Sequence, residues 1–418
     1  MRQTLALLCR MGLTTTLAAC AASSSGAGPQ DTNALRRPTL VAFTAVRHKA
    51  QTLRTSKRSK MEKMHVYIGT YTTKGSKGIY LCELDMKTGT LTLKGAVATT
   101  PNPTFVALAP NHKYLYAANE IDNFHGAKAG AVSAWAIQPK TGALTFINDS
   151  STKGDGPCHV SVDSKSRYVF AANYGAGSLT AMPIEKNGGV GAATGFVQHE
   201  GTSVDPKRQE GPHAHSIYID AADHFAYACD LGLDKVFVYH FDPVNGSLTP
   251  NDPPAAMVPP GSGPRHIAFH PNGKFAYVIN EMKSTVTAMK WDPKSGVMQE
   301  IETVSTVPAD NTVENSTAEV FMHPNGKFLY GSNRGHNSIA IFSVDGTTGK
   351  VKRIANQSTQ GKTPRSFNLD PTGAFLLAAN QDTDNVFVYR VNPETGMLTP
   401  TGHSVHISMP VCIVYMPE

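Results

Sequence analysis

A turn that closes on glycine after a strand of alternating apolar residues occurs seven times in this chain, and it limits the possible folds more than any other feature. The copies are Asp85 to Gly89, Gln138 to Gly142, Glu185 to Gly188, Asp242 to Gly246, Asp292 to Gly296, Asp345 to Gly349 and Asn392 to Gly396. Their glycines are spaced 53, 46, 58, 50, 53 and 47 residues apart. A unit of about fifty residues that recurs along one chain cannot bury its apolar face alone, so it must stack on its neighbours as a solenoid or a propeller.

Each unit reads as four strands. In the fullest copy they run from about Arg265 to Phe269, Phe275 to Asn280, Thr285 to Trp291 and Val297 to Thr303. The second is apolar on both faces, which suits a strand packed between neighbouring sheets. The fourth carries Gln299, Glu300 and Glu302 and suits a solvated outer edge. No stretch shows helical periodicity, so the chain is all-β. The first unit opens at His65-Val66-Tyr67-Ile68-Gly69-Thr70, a second strand with no first strand before it, and the chain stops at Pro410 to Tyr415, a first strand with no second after it. Joined in one sheet, these two strands close a ring and leave no exposed edge. The expected fold is a seven-bladed β-propeller with four-stranded blades over residues 64–418.

Charge excludes little, and the cysteines somewhat more. The net charge is +6 with 17% charged residues. Much of the excess lies before residue 64, in Arg36, Arg37, Arg47, Lys49, Arg54, Lys57, Arg58 and Lys60, so the remainder is close to neutral and nothing argues for a nucleic-acid partner. Cys9, Cys20, Cys82, Cys158, Cys229 and Cys412 form neither a Cys-x-x-Cys pair nor a zinc spacing, and the last four are expected as buried thiols. No run of about 18 apolar residues is present, so no membrane span is expected. Residues 1–63 allow two readings. Leu17-Ala18-Ala19-Cys20 resembles a lipoprotein cleavage box, which implies an extracytoplasmic anchored protein. Alternatively the true start is Met61 or Met64, and the protein is cytoplasmic.

A repeat also serves as an internal control: what most blades share is scaffold, and what one blade alone carries is a candidate for function. Asn or Asp ends the second strand at Asn119, Asn173, Asp230, Asn280, Asn333 and Asn380. These residues are expected to cap the strand-end turn, although such a ring also has the chemistry to hold calcium. The residue after each of them varies, as Glu120, Tyr174, Leu231, Glu281, Arg334 and Gln381. So do the starts of the first strands: Thr104-Phe105, Cys158-His159, His215-Ser216, Arg265-His266, Ala318-Glu319, Arg365-Ser366 and Val411-Cys412.

In an up-and-down blade both sets reach the same mouth of the central channel. That mouth is expected to gather His159, His215, Arg265, His266, Glu281, Glu319, Arg334 and Arg365, with Glu120 and His213 nearby. Ionisable groups on a channel axis are costly to desolvate without partners or a ligand. Three arginines on one cavity call for an anion, and a His and a Glu beside them supply acid and base. There is no Gly-x-Ser-x-Gly elbow, no His-Glu-x-x-His and no Gly-rich phosphate loop. In Gly211-Pro212-His213-Ala214-His215-Ser216 no Cys or acid stands at ligand spacing, so no metal is expected.

These residues resemble the β-propeller lactonase family, which contains bacterial 6-phosphogluconolactonases and fungal carboxy-muconate lactonizing enzymes. The resemblance covers nearly all of residues 64–418. It is carried by Val66-Tyr67-Ile68-Gly69-Thr70-Tyr71, Gly211 to Ser216, Gly263-Pro264-Arg265-His266, Asn280-Glu281 and Ser332-Asn333-Arg334-Gly335. It implies a catalytic set of His215, Arg265, Glu281 and Arg334, with Arg365 as the alternative second arginine and no cofactor. The implied reaction is hydrolysis of a sugar δ-lactone, foremost 6-phosphogluconolactone, by a protein expected to act as a monomer. In that scheme Arg265 and Arg334 hold the substrate anion and the oxyanion, while Glu281 or His215 activates water. Two alternatives stand beside it: cyclisation of a carboxylated muconate, and a propeller that binds partners without catalysis.

Overall fold

The computed structural model describes residues 62–417. The lipoprotein-like box and Met61 lie outside the described residues. Seven sheets of four strands make the propeller, each sheet antiparallel and ordered from the channel outwards. In the blade that repeats most clearly the strands are Pro264–Phe269, Phe275–Asn280, Thr285–Trp291 and Met298–Ser305. Among the described residues the only helical elements are two three-residue 3-10 turns.

The two ends of the described chain share one blade. The strand Pro410–Pro417 pairs antiparallel with Lys63–Thr70, from Met64 opposite Pro417 to Thr70 opposite Pro410. The C-terminal strand lies innermost, and Gly78–Asp85 and Leu91–Thr99 complete the sheet outwards. The ring is thus sewn shut by main-chain hydrogen bonds between residues far apart in sequence.

The core lies between blades. Phe275, Tyr277 and Ile279 of one second strand pack against Val320, Leu329, Ala340 and Phe342 of the next blade. Both faces of the second strand are therefore covered, which accounts for its apolar sequence. The recurring glycine is explained by the same contact. Each turn folds over the neighbouring blade, and a Cβ at Gly349, Gly296, Gly396 or Gly89 would collide with Phe275, Phe225, Phe328 or Phe375. These glycines also hold φ between 72° and 80°, which other residues rarely adopt. Tyr67 and Tyr330 then donate their hydroxyls to the carbonyls of Gly142 and Gly396 at 2.8 Å. Cys82, Cys158, Cys229 and Cys412 are buried free thiols.

Asn and Asp at the ends of the second strands are scaffold. The Asn280 amide donates to Thr285 and Thr287 at 3.0 and 2.8 Å, and the Asn173 amide to Ser178 and Thr180 at 3.0 and 3.1 Å. Asp230 accepts from the backbone N–H of His213 at 2.9 Å and lies 2.6 Å from Nδ1 of buried His199. Each ties the strand end to its turn, as the repetition implies.

Candidate active site

The inner strands do something at the mouth that no sequence pattern announces. In each of the seven the pairing register slips at the same place, so that one residue has no partner: Thr104, Cys158, His215, Arg265, Arg365 and Val411, with Ala318 and Glu319 together in the remaining blade. A β-bulge of this kind re-aims side chains. In a regular strand, successive side chains would face opposite sides. Here two consecutive ones serve the channel, the first at the mouth and the second one layer deeper.

The upper layer encloses a pocket of about 210 Å³ lined by Glu120, Cys158, Tyr174, Arg208, His215, Glu281 and Arg365. At its centre Glu281 is almost fully buried and gripped by three guanidinium groups. Oε2 lies 3.1 Å from Nε of Arg265 and 3.0 Å from Nη2 of Arg334, and Oε1 accepts from Nη2 of Arg208 at 2.8 Å. Burial alone would raise its pKa, but Arg334, Arg265 and Arg208 outweigh burial and hold it down at about 2. His215 Nε2 stands 3.9 Å from Glu281 Oε2. Burial and the charge of Arg265 push the pKa of His215 well below its usual value, so the ring is neutral.

Arg265 and Arg334 face Glu281 from behind. Both are also tied to the backbone: Arg265 donates Nη1 to Ala318 O, and Arg334 Nη2, the atom that faces Glu281, also donates to Thr317 O. Arg334 Nε is buried without a partner among the described residues. On the opposite wall Arg365 donates to the Tyr71 hydroxyl at 3.1 Å and lies over its ring. That hydroxyl bonds the Glu120 carboxylate, which also accepts from Thr104 at 2.6 Å.

The deeper layer forms a floor. His266 Nδ1 is 2.8 Å from Glu319 Oε1, and both residues are buried. Burial lifts Glu319 to about 8 and pushes His266 well down, so the pair rests as carboxylic acid and neutral imidazole. His159 packs against Phe105, Tyr218 and His266, at ring separations of 4.3, 4.6 and 5.4 Å. Below the floor the channel widens to about 470 Å³ with walls that are mainly apolar, including Val106, Val160, Ile267, Val320 and Ile413.

Of the ten residues singled out from the sequence, His215, Glu281, Glu120 and Arg365 line the pocket, and Arg265 and Arg334 back it. His266, Glu319 and His159 form its floor. His213 sits at the edge, stacked on Tyr174 at 4.5 Å. Arg208 and Tyr71 were missed. Tyr71 follows Thr70, which replaces the strand-end Asn in the first blade, so a search keyed to Asn or Asp passes over it. Arg208 lies outside the repeat, on residues 199–213, and the only sign of it was that the interval across that stretch, 58 residues, is the longest. No group of three or more His, Cys, Asp or Glu among the described residues is placed to hold a metal.

Residues 65–415 match the family described as "Lactonase, 7-bladed beta-propeller". The chain is 37% identical over 358 residues to the 6-phosphogluconolactonase of Bacillus subtilis, covering 86% of this chain and 100% of that one. It is 32% identical to the 6-phosphogluconolactonase of Formosa agariphila, covering 73% of this chain and 86% of the relative. Among solved structures, the periplasmic gluconolactonase of Pseudomonas aeruginosa superposes with a TM-score of 0.79 at 31% identity, over 85% of this chain and 99% of that one.

Proposed function

The chain belongs to the seven-bladed β-propeller lactonase family, and from that premise we propose that it hydrolyses an anionic sugar δ-lactone, 6-phosphoglucono-δ-lactone being the substrate its site fits best. The observation that carries this reading is an ionised, buried Glu281 on a small pocket that also presents Arg208, Arg365 and neutral His215. A neutral sugar would not need that much positive charge, whereas a phosphate and a developing oxyanion would use it. The names of the Bacillus subtilis and Formosa agariphila relatives agree with a phosphorylated lactone.

In the proposed reaction a water held between Glu281 and His215 attacks the lactone carbonyl carbon, and its proton passes to the Glu281 carboxylate. Arg365 stabilises the negative charge that develops on the carbonyl oxygen. The intermediate collapses by breaking the bond from that carbon to the ring oxygen. The ring oxygen takes that proton back from Glu281 and leaves as a hydroxyl, so lactone and water become one hydroxy acid. Arg265 and Arg334 keep Glu281 ionised and pointed at the water. His215, acting from 3.9 Å, positions that water as a neutral hydrogen-bond partner.

The direct test is the hydrolysis of 6-phosphoglucono-δ-lactone and glucono-δ-lactone by the purified protein, against the spontaneous rate. The expected result is acceleration of both, with kcat/KM at least about tenfold higher for the phosphorylated lactone. Acceleration of neither would return the propeller to the class of non-catalytic binding modules.

A further inference from the structure

Arg208 differs from the other three arginines of the site. Arg265 and Arg334 are walled in, each with a donor committed to a backbone carbonyl, and Arg365 is packed on Tyr71. Arg208 reaches the pocket from outside the blades, and its side chain is 44% exposed. Only Nη2 is engaged, with Glu281 Oε1 at 2.8 Å and the Tyr174 hydroxyl at 3.1 Å. Among the described residues Nε and Nη1 make no hydrogen bond.

Its base is nevertheless fixed. Asp205 accepts from the backbone N–H groups of Lys207 and Arg208 at 2.8 and 3.1 Å. Gln209, wholly buried, donates Nε2 to Leu231 O at 2.9 Å and accepts from the Asp205 N–H at 3.1 Å. Ser203 donates to Asp234 at 2.6 Å. A built turn thus holds a long cationic side chain with unused donors at the rim, where an arriving anion meets it first. The planar fork of a guanidinium suits two oxygens of a phosphate.

The contact with Glu281 has a second consequence. A carboxylate gripped by three guanidinium groups is a weak base at neutral pH. Two of those groups cannot leave, and Arg208 can.

We propose that Arg208 recognises the anionic group of the substrate remote from the lactone carbonyl and, in binding it, releases Glu281, so that the same anion anchors the substrate and unmasks the base. This rests on the lactonase reading. It assigns a residue outside the repeat the choice between phosphorylated and unphosphorylated lactones.

One consequence does not depend on the substrate's own phosphate. A free oxyanion of similar size should enter the pocket beside an unphosphorylated lactone and switch the base on. The test uses the full chain, with glucono-δ-lactone as substrate and inorganic phosphite as the probe, each rate corrected for uncatalysed hydrolysis in the same buffer. The wild-type kcat/KM should rise about tenfold and saturate with phosphite. In Arg208→Gln that rise should vanish because Glu281 is already released, kcat/KM for glucono-δ-lactone should not drop, and kcat/KM for 6-phosphoglucono-δ-lactone should drop about 100-fold. Arg208→Lys should recover part of both effects. The unfolding temperature of each variant, expected within a few degrees of wild type, confirms that a loss is not a folding defect. Absence of phosphite activation in the wild type, equal activation in Arg208→Gln, or equal losses on the two lactones would overturn the proposal while leaving the lactonase reading intact. Failure of the wild type to hydrolyse either lactone would overturn the lactonase reading itself.

Discussion

The central channel has two ends built from the same seven strands, and they share almost no chemistry. Below the His266–Glu319 floor is a cavity of about 470 Å³ with mainly apolar walls. Above it is a pocket of about 210 Å³ crowded with ionisable groups. The larger space is what the repeat makes by default, since a ring of strands with alternating apolar residues leaves an apolar bore. The smaller space exists because single blades depart from the repeat, and because a bulge in every inner strand turns an extra side chain toward the mouth. On the proposed mechanism the functional end is the smaller space, marked by departure from the repeat and not by volume.

That contrast breaks if variants at the two ends behave alike. The largest effect on stability is expected at Arg265. Arg265→Met leaves Glu281 buried with one of its three cations removed, which should lower stability by about 3 kcal/mol in chemical unfolding and lower kcat as well. A variant as stable as wild type would mean that the carboxylate is not held as described. Next, His215→Asn should lower kcat about 100-fold by taking away the ring that positions the water, with little change in the affinity for product. Arg365→Gln is expected to cost about tenfold in kcat/KM, since it removes a cation from the pocket wall but leaves Glu281 in place. At the far end, Met322→Leu should change kcat/KM by less than about twofold, because the volume is nearly conserved and the proposed reaction takes place at the other end. A loss at Met322 as large as that at Arg365 would erase the distinction between the ends.

The floor between them gives a smaller, pH-dependent signature. The folded carboxyl of Glu319 holds its proton more tightly than in the unfolded chain, with a pKa of about 8. The stability this confers is complete below the unfolded carboxyl pKa and is lost as pH rises through about 8. Glu281 has the opposite sign: its contribution is present above the unfolded pKa and is lost as pH falls through about 2. Between pH 5 and 8 Glu319 should therefore pull the unfolding temperature down as pH rises, against the depressed His215 and His266, which favour folding as pH rises toward the unfolded histidine pKa. Glu319→Gln should remove that pull and make the slope more positive. An unchanged slope in the variant would place the buried proton elsewhere.

How much of this was legible in the sequence depends on whether a feature lies in the repeat. The Gly296 turn and its siblings carried the blade count, and the strand limits at Phe275–Asn280 and Thr285–Trp291 could be read directly. The closing strand was visible because its partner was missing at both ends of the repeat. The candidate site was legible wherever one blade could be compared with its siblings, as at Glu281, Arg365 and Glu120. Layering was not legible. Arg265 and His266 are neighbours in sequence, yet one faces Glu281 and the other the floor, because the bulge depends on backbone register that side-chain identity does not encode. Arg208 was hidden for another reason: its loop has no counterpart in the other blades, so there was nothing to compare it with.

The central claim is that chemistry resides at the mouth, on the carboxylate that three arginines hold ionised. Its most direct test is Glu281→Gln, assayed for kcat on 6-phosphoglucono-δ-lactone and for the Kd of 6-phosphogluconate. The account predicts that kcat falls about 1000-fold while product affinity stays within a few fold, because the amide fills the same place but cannot take a proton. Turnover at the wild-type rate would contradict it.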